Sequence, residues 1–297
     1  MKHAASESIY DVATAERLRV HFQSLDAAGK ENFLSSLSQS ELREMFKYPR
    51  IFLFDKQVIP DGDWTYCILR CGRRFGKSVT GATWIAEKVY QGAKQLGICG
   101  PTYGDVFDVM VPNIIKCFPE GEAKYNSQHH CITYKDAVIH CYTSDKEIRG
   151  PSLEFTWCDE ICLWADGIPE KIELRFKSLK TATSKGKKPQ IVITSTPKPF
   201  SLFFQWEEAV RSGDKQYVIK TGTMFDNPYL SEEYIKSEIA NYGDTPLGRQ
   251  EIYGDLIEDV AGALWNPTLL SDCTITASSE NEAKLSAKIV ASAALRN

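Results

Sequence analysis

Residues 66–78, YCILRCGRRFGKS, decide the fold: a short apolar run leads through a basic, glycine-containing turn into a polar helix start. From Lys77 onward, apolar residues recur at helical spacing until Gly92, which is a suitable stop. Strand, loop and helix in this order direct backbone N–H groups and a helix N-terminus at one point, an arrangement that binds phosphate. The small residues in the turn let the backbone come close to such a ligand.

Residues 71–78 form a variant of the phosphate-binding loop. Gly76, Lys77 and Ser78 match the end of the pattern GxxxxGK[ST], in which the lysine reaches the outer phosphates and the hydroxyl holds Mg²⁺. The first glycine of that pattern would fall at Cys71, and Gly72 comes one position later. The alternative is a basic turn before a helix, because the tripeptide GK[ST] is common. The strand before the loop and the helix after it favour phosphate binding.

Length and composition describe an ordinary globular chain. It has 297 residues, of which 43% are hydrophobic and 25% charged, enough for one large domain or two small ones. A net charge of −4 excludes a wholly basic nucleic-acid binder but allows a local basic surface. No apolar run is long enough to span a bilayer, and the start is no signal peptide. The nine scattered cysteines are expected to be free thiols, with no metal site among them.

Strand-like and helical stretches alternate along the chain, which predicts an α/β fold with a mostly parallel sheet flanked by helices. A short helical segment over residues 1–59 precedes this pattern, and residues 60–262 would form the main domain, including a lid-like C-terminal part. Residues 263–297 read as a tail. The predicted strands are 66–69, 96–99, 131–134, 137–142, 155–158, 191–194 and 217–220, and the predicted helices in the main domain are 77–92, 105–115, 169–180, 201–211 and 231–242.

A second motif, residues 153–160 with the sequence LEFTWCDE, is an apolar strand that ends in two acids. Asp159 would lie near the Mg²⁺ that Ser78 also holds, and Glu160 would polarise a water for attack on a γ-phosphate. The alternative is a pair of solvated acids at a strand end. The third motif, residues 191–198 with the sequence IVITSTPK, ends a strand in the hydroxyls of residues 194–196. Such a strand end senses the γ-phosphate in nucleic-acid motors; otherwise it is a plain strand exit.

With these motifs in order, the sequence resembles the ATPase half of tailed-bacteriophage terminase large subunits, the motors that pump DNA into capsids. Further stretches carry the resemblance: PDGDW at 60–64, RGP at 149–151, CDEICLW at 158–164, TSTPKP at 194–199, DNPYL at 226–230, YGDT at 242–245, LGRQE at 247–251 and GALW at 262–265. It covers roughly residues 15–266 and implies a P-loop NTPase fold that uses ATP and Mg²⁺.

The resemblance also implies roles for individual residues. Arg73 would sense or stabilise the γ-phosphate, Arg149 would reach into a neighbouring subunit's site, and Gln57 would contact adenine. The alternative for each arginine is an ion pair with a carboxylate at the surface, which contributes little to stability. The expected nucleotide-binding residues are Gly72, Arg73, Arg74, Phe75, Gly76, Lys77 and Ser78, with Ser78 and Asp159 on the metal, Glu160 as catalytic carboxylate, and Thr194, Ser195 and Thr196 as the coupling motif.

The function implied is an ATP-hydrolysing motor subunit that packages double-stranded viral DNA, in a ring on the portal, in the cytoplasm of the bacterial host. The portal protein and the small terminase subunit would be its partners. No association with a membrane is expected. Lys185, Lys187 and Lys188 are DNA-contact candidates, or else a solvated lysine loop. The alternatives are a helicase-type ATPase and a non-catalytic remnant. Few acids follow Trp265, so endonuclease activity is not expected in this chain, and the tail resembles a truncated start of a nuclease domain.

Overall fold

The computed structural model describes residues 10–148, 152–242 and 245–257, and within them eight strands form one sheet. The order across the sheet is β3-β4-β5-β2-β6-β7-β1-β8. The strands are β1 Tyr66–Cys71, β2 Gln95–Gly100, β3 Lys124–Asn126, β4 Cys131–Tyr134, β5 Ala137–Thr143, β6 Phe155–Asp159, β7 Gln190–Ser195 and β8 Tyr217–Gly222. Only the β3-β4 and β4-β5 pairings are antiparallel. The mostly parallel sheet therefore agrees with the predicted fold class.

Helices cover both faces of this sheet. They are α1 Val12–Ser24, α2 Ala27–Ser36, α3 Gln39–Met45, α4 Lys77–Tyr90, α5 Val111–Ile115, α6 Pro169–Ala182, α7 Ser201–Arg211, α8 Glu232–Tyr242 and the single turn α9 Pro246–Gly248. One buried cluster joins Ile85 of α4 to Leu69 and Trp157 on the strands. A second cluster joins Phe176 and Phe203, from α6 and α7, to the opposite face. This two-sided burial explains why the central strands are near-continuous apolar runs.

Short turns of tighter or wider helix fill several connections. Three-ten turns lie at Pro49–Phe52, Asp55–Gln57, Ile161–Gly167 and Met224–Asp226, and π-helical turns at Asp105–Met110 and Arg249–Tyr253. The prediction of one regular helix over 105–115 is thus only partly right, because its first half is π-helical. Val111 N–H donates to Val106 five residues back, and the next residue, Pro112, has no N–H to donate.

Buried charges attach the N-terminal helical segment to α4. Arg50 is ion-paired with Glu87 of α4, and both side chains are almost completely buried. The Tyr10 hydroxyl donates to Glu87 Oε1 at 2.5 Å, and Arg50 also reaches Asp61 at 3.1 Å. Each buried charge has a partner of opposite sign, which is the condition for burying it at acceptable cost.

The structure divides after Leu256, and all the helices and strands given above precede that point. The predicted boundary at 262/263 and the tail lie outside the described residues. All eight cysteines in the described part of the chain are free thiols. In the same residues, none of the helices combines the length and apolarity that a membrane span requires.

Candidate active site

Strand register brings the three sequence motifs to one edge of the sheet. β7 lies between β1 and β6, and Thr194 of β7 is level with Leu69 of β1 and with Asp159 of β6. All three strands run in the same direction, so their carboxyl ends meet at the same edge. The loop 72–76 leaves β1 there and enters α4. Ligands bind at this edge in parallel α/β sheets.

Lys77 begins α4 and folds its side chain back over the loop. Its ammonium Nζ donates to the carbonyls of Cys71 and Gly72, at 3.2 and 3.1 Å, and to Thr196 Oγ1 at 2.9 Å. Glu160 Oε1 lies 3.4 Å from the same nitrogen. The side chain is 7% exposed. A buried cation therefore stands between the loop and the acidic strand end, where it can meet a phosphate group.

Asp159 ends β6 in a buried, polar environment. Its Oδ1 accepts from Thr194 Oγ1 at 2.5 Å, and its Oδ2 accepts from Ser78 Oγ at 3.3 Å. Burial, followed by the charge of Glu160, raises the pKa of Asp159 to about 7. A carboxylate and a hydroxyl at this spacing are oxygen ligands of the kind that Mg²⁺ takes together with phosphate and water. The residues present fit the predicted magnesium site.

Glu160 follows with a left-handed backbone, φ 44° and ψ 52°, which is unusual for a residue other than glycine. Its Oε2 accepts from the backbone N–H of Thr196 at 3.0 Å and from Ser195 Oγ at 3.4 Å. The end of β7 thus holds the carboxylate directly. Such backbone strain is typical of functional sites, where the surrounding contacts keep the residue in place.

Two tryptophans that the sequence motifs did not single out support the acidic strand end. Trp157 Nε1 donates to Thr194 Oγ1 at 2.8 Å, and Trp164 Nε1 donates to the carbonyl of Asp159 at 2.9 Å. Both indoles are fully buried. Trp157 thus orients the hydroxyl that donates to the carboxylate, and Trp164 holds the backbone of Asp159 itself. The sequence signal for both was their position in the quoted stretches LEFTWCDE and CDEICLW.

The two loop arginines have different partners. Arg73 forms an ion pair with Glu251, which lies in the turn Arg249–Tyr253. Arg74 donates from Nε to the hydroxyl of Tyr234 at 3.0 Å, and its guanidinium lies 5.6 Å from that ring's centroid. Glu251 ends the stretch LGRQE, which is one of those that carry the resemblance, whereas Tyr234 lies in none of the quoted stretches.

The remaining predicted loop residues lie as follows. Phe75 is fully buried and packs against Phe54, so only its backbone is at the loop surface. Gly76 has φ +99°, which glycine adopts without strain. The buried amide of Gln57 donates from Nε2 to the carbonyl of Gly76 at 3.2 Å. Gln57 therefore braces the loop in this structure, and its contact with adenine stays a prediction.

A cavity of about 620 Å³ opens between the loop and α8. Its floor is the loop with Lys77, Ser78 and Glu160, and its far wall comes from the stretch 227–242. Leu230 and three residues of α8 recur at every fourth position, and the three on the helix lie along one face. The wall residues are Asn227, Leu230, Tyr234, Glu238 and Tyr242. That spacing is the signal in the sequence that could have marked this wall.

One predicted group lies away from this cavity, and another lies outside the described residues. Lys185, Lys187 and Lys188 are exposed in the loop before β7, at the opposite end of that strand from Thr194, and Lys188 is ion-paired with Asp63. The predicted finger, Arg149, lies outside the described residues. Among the described residues, no cluster of three or more histidines, cysteines or acids could hold a metal ion by itself.

Solved structures share this fold. The large terminase of bacteriophage HK97 matches with a TM-score of 0.54 at 16% identity, over 71% of this chain and 50% of that one. The large terminase of a thermophilic bacteriophage, in complex with ADP, matches with a TM-score of 0.53 at 17% identity, over 72% and 53%. The chain therefore spans about half the length of these proteins. No curated protein sequence matches it.

A family model covers most of the chain. The model described as "Terminase large subunit, T4likevirus-type, N-terminal" matches residues 68–272, which include the phosphate-binding loop, both acidic residues and the end of β7. The match extends over well more than half of the 297 residues. The chain belongs to the large terminase subunit family, in its T4-like N-terminal region.

Proposed function

We propose that this protein is an ATP-hydrolysing motor subunit that translocates double-stranded viral DNA into the procapsid. The observation that carries the proposal is the contact of Lys77 Nζ with Glu160 and Thr196, which joins all three motifs within one hydrogen-bonded group. Phosphate-transfer enzymes work mainly by positioning and by stabilising charge, and these residues offer both.

The loop residues and Lys77 would bind the β- and γ-phosphates, with Ser78 and Asp159 holding Mg²⁺. The metal would neutralise charge on the phosphate oxygens. Glu160 would orient the attacking water and accept its proton, since its side chain is partly exposed toward the cavity and its Oε2 is fixed by Thr196 N–H. Arg73 would stabilise charge that develops on the γ-phosphate.

The end of β7 would couple hydrolysis to DNA movement. Ser195 and Thr196 contact Glu160, and Thr196 also contacts Lys77, so the loss of a γ-phosphate would change the bonding of both hydroxyls. Strand β7 is six residues long and leads back to the exposed lysines 185, 187 and 188, which suit release and rebinding of DNA phosphates.

The wider setting belongs to the same proposal. The subunit would work as a ring on the portal protein, with the small terminase subunit, in the host cytoplasm, and Arg149 would complete a neighbour's site. Residues 60–262 would be the ATPase domain, including a lid-like C-terminal part. Residues 1–59 would be a helical segment attached to it, and residues 263–297 a tail.

ATP hydrolysis by the full chain tests the proposal, measured with and without duplex DNA beside Glu160→Gln. We expect turnover that duplex DNA raises and that the variant abolishes, because the amide cannot accept a proton. Glu154→Gln is the matched control, since this acid lies at the opposite end of β6. Wild-type turnover no higher than that of Glu160→Gln, even with duplex DNA and a supplied portal, would refute the motor function.

A further inference from the structure

Glu251 is a buried acid outside the three motifs. It is 9% exposed, whereas the Arg73 side chain with which it pairs is 62% exposed and lines the cavity. The contact joins Glu251 Oε2 to Arg73 Nε. Among the described residues, that oxygen has no hydrogen-bond partner, so the ion pair is what compensates its charge.

The backbone around Glu251 also contacts the start of the loop. Arg73 N–H donates to the carbonyl of Glu251 at 2.7 Å. A Cβ atom added to Gly72 would lie only 2.3 Å from the carbonyl oxygen of Ile252, so the close approach of the two segments requires glycine there. The position of Arg73 is therefore set by its backbone and by its side chain together.

We infer that Glu251 is a positioning residue for Arg73, which it holds through Nε so that the terminal nitrogens Nη1 and Nη2 are directed to the outer phosphates of a bound nucleotide. A guanidinium that is contacted at Nε keeps its terminal edge for a second anion. If Arg73 left the pair, a buried carboxylate would lose its counterion, and this keeps the two residues together through the reaction. The inference rests on the proposed function.

The same stretch of chain holds the second loop arginine. Asn227 Nδ2 donates to the carbonyl of Arg74 at 2.6 Å, and Tyr234 contacts its guanidinium. Asn227, Tyr234 and Glu251 thus hold the two arginines, and residues 227–242 also supply the far wall of the cavity. A nucleotide that binds against this wall meets the residues that set the geometry of Arg73.

The test compares Glu251→Gln, Arg73→Ala and the double variant in the full chain. Asp255→Asn is the matched control, because Asp255 lies four residues after Glu251 and pairs with exposed Arg249 instead. We expect Glu251→Gln to lower kcat for ATP by roughly ten- to a hundredfold with KM changed less than about threefold, since the contact acts on the transition state. Lys77→Ala and the wild type, measured alongside, show whether the chain hydrolyses ATP at all.

Two further results separate positioning from folding. Glu251→Gln is expected to add less than about twofold to the loss already caused by Arg73→Ala, because both act through one guanidinium. Wild-type protein should bind β,γ-imido-ATP more tightly than ADP, and Glu251→Gln should reduce that ratio to the value of Arg73→Ala. A kcat of Glu251→Gln within twofold of the wild-type value would overturn the inference. So would an equal loss of kcat when Glu251→Gln is made in the wild type and in Arg73→Ala. If the wild type hydrolyses no ATP, the imido-ATP to ADP ratio still tests the contact alone.

Discussion

The two ends of β7 place polar residues in opposite environments. At the carboxyl end, Thr194 and Thr196 are buried and hydrogen-bonded to Asp159 and Lys77. At the amino end, the lysines of residues 185–188 are exposed, with Lys188 in a surface ion pair. Six residues of strand separate the ends by roughly 20 Å. Buried hydroxyls fix one geometry, whereas exposed lysines supply charge without fixing a geometry.

The largest effect is expected at the carboxyl end, from Lys77→Ala. Removal of the ammonium deletes the contact to the phosphates and leaves Glu160 without its cation, so we expect kcat for ATP to fall roughly a thousandfold, about 4 kcal/mol. Phosphate release measures this. The control is Lys94→Ala, whose ammonium pairs with Asp136 on the surface. If Lys77→Ala kept more than a tenth of wild-type turnover, the buried end would not be the catalytic one.

Thr194→Val tests how far the buried end depends on one hydroxyl. Valine keeps the shape but leaves Trp157 N–H and an Asp159 oxygen without partners, so we expect the free energy of unfolding to fall by about 2–3 kcal/mol. Denaturant unfolding measures the loss. Thr181→Val, at an exposed threonine of α6, should change it by less than about 0.5 kcal/mol. Equal stabilities of the two variants would contradict the role given to the buried hydroxyl.

The exposed lysines at the amino end of β7 are expected to affect the binding of duplex DNA and the dependence of that binding on salt concentration. Replacing Lys185, Lys187 and Lys188 by alanine is expected to weaken binding of duplex DNA about tenfold and to reduce the slope of log K against log salt by roughly 2 to 3. Fluorescence anisotropy at several salt concentrations measures both. Alanine at Lys124 and Lys135, exposed on the β3-β4-β5 edge, is the control. An unchanged slope would exclude the loop before β7 as a DNA contact.

The smallest effect concerns Cys71, at the carboxyl end of β1. Burial raises the pKa of this thiol to about 12, so at pH 8 only about one part in ten thousand is thiolate, the reactive form. We expect iodoacetamide at pH 8 to leave ATP hydrolysis unchanged and to spare Cys71, as mass spectrometry would detect. In denaturant the same thiol should be alkylated. Inactivation together with modified Cys71 in the folded protein would show that this end is open to solvent.

Local patterns predicted much of the fold. The helix α7 has its predicted bounds of 201–211, because apolar spacing acts within one helix. The insertion of β7 between β1 and β6 was not predicted, since strand order depends on crossovers between distant segments.

The candidate site likewise contains residues that could be predicted from the sequence and residues that could not. The loop residues were identifiable because they are contiguous, and Asp159 and Glu160 because they end an apolar strand. Glu251 ends the quoted stretch LGRQE, but its pairing with Arg73 was not predicted, since that contact links residues far apart in the sequence. The wall formed by α8 was likewise visible only as a spacing on a helix face, without any indication of what that face meets.

The buried pair of Arg50 and Glu87 has a consequence for how the protein can be cut. A fragment that begins at residue 60 would lose Arg50, Tyr10 and Gln57 at once. Glu87 would then be a carboxylate inside α4 without its cation, and the carbonyl of Gly76 would lose a donor at the loop. A fragment with an undisturbed phosphate-binding loop therefore keeps the segment from Tyr10 onward, because this segment supplies the counter-charge of the helix on which Lys77 and Ser78 stand.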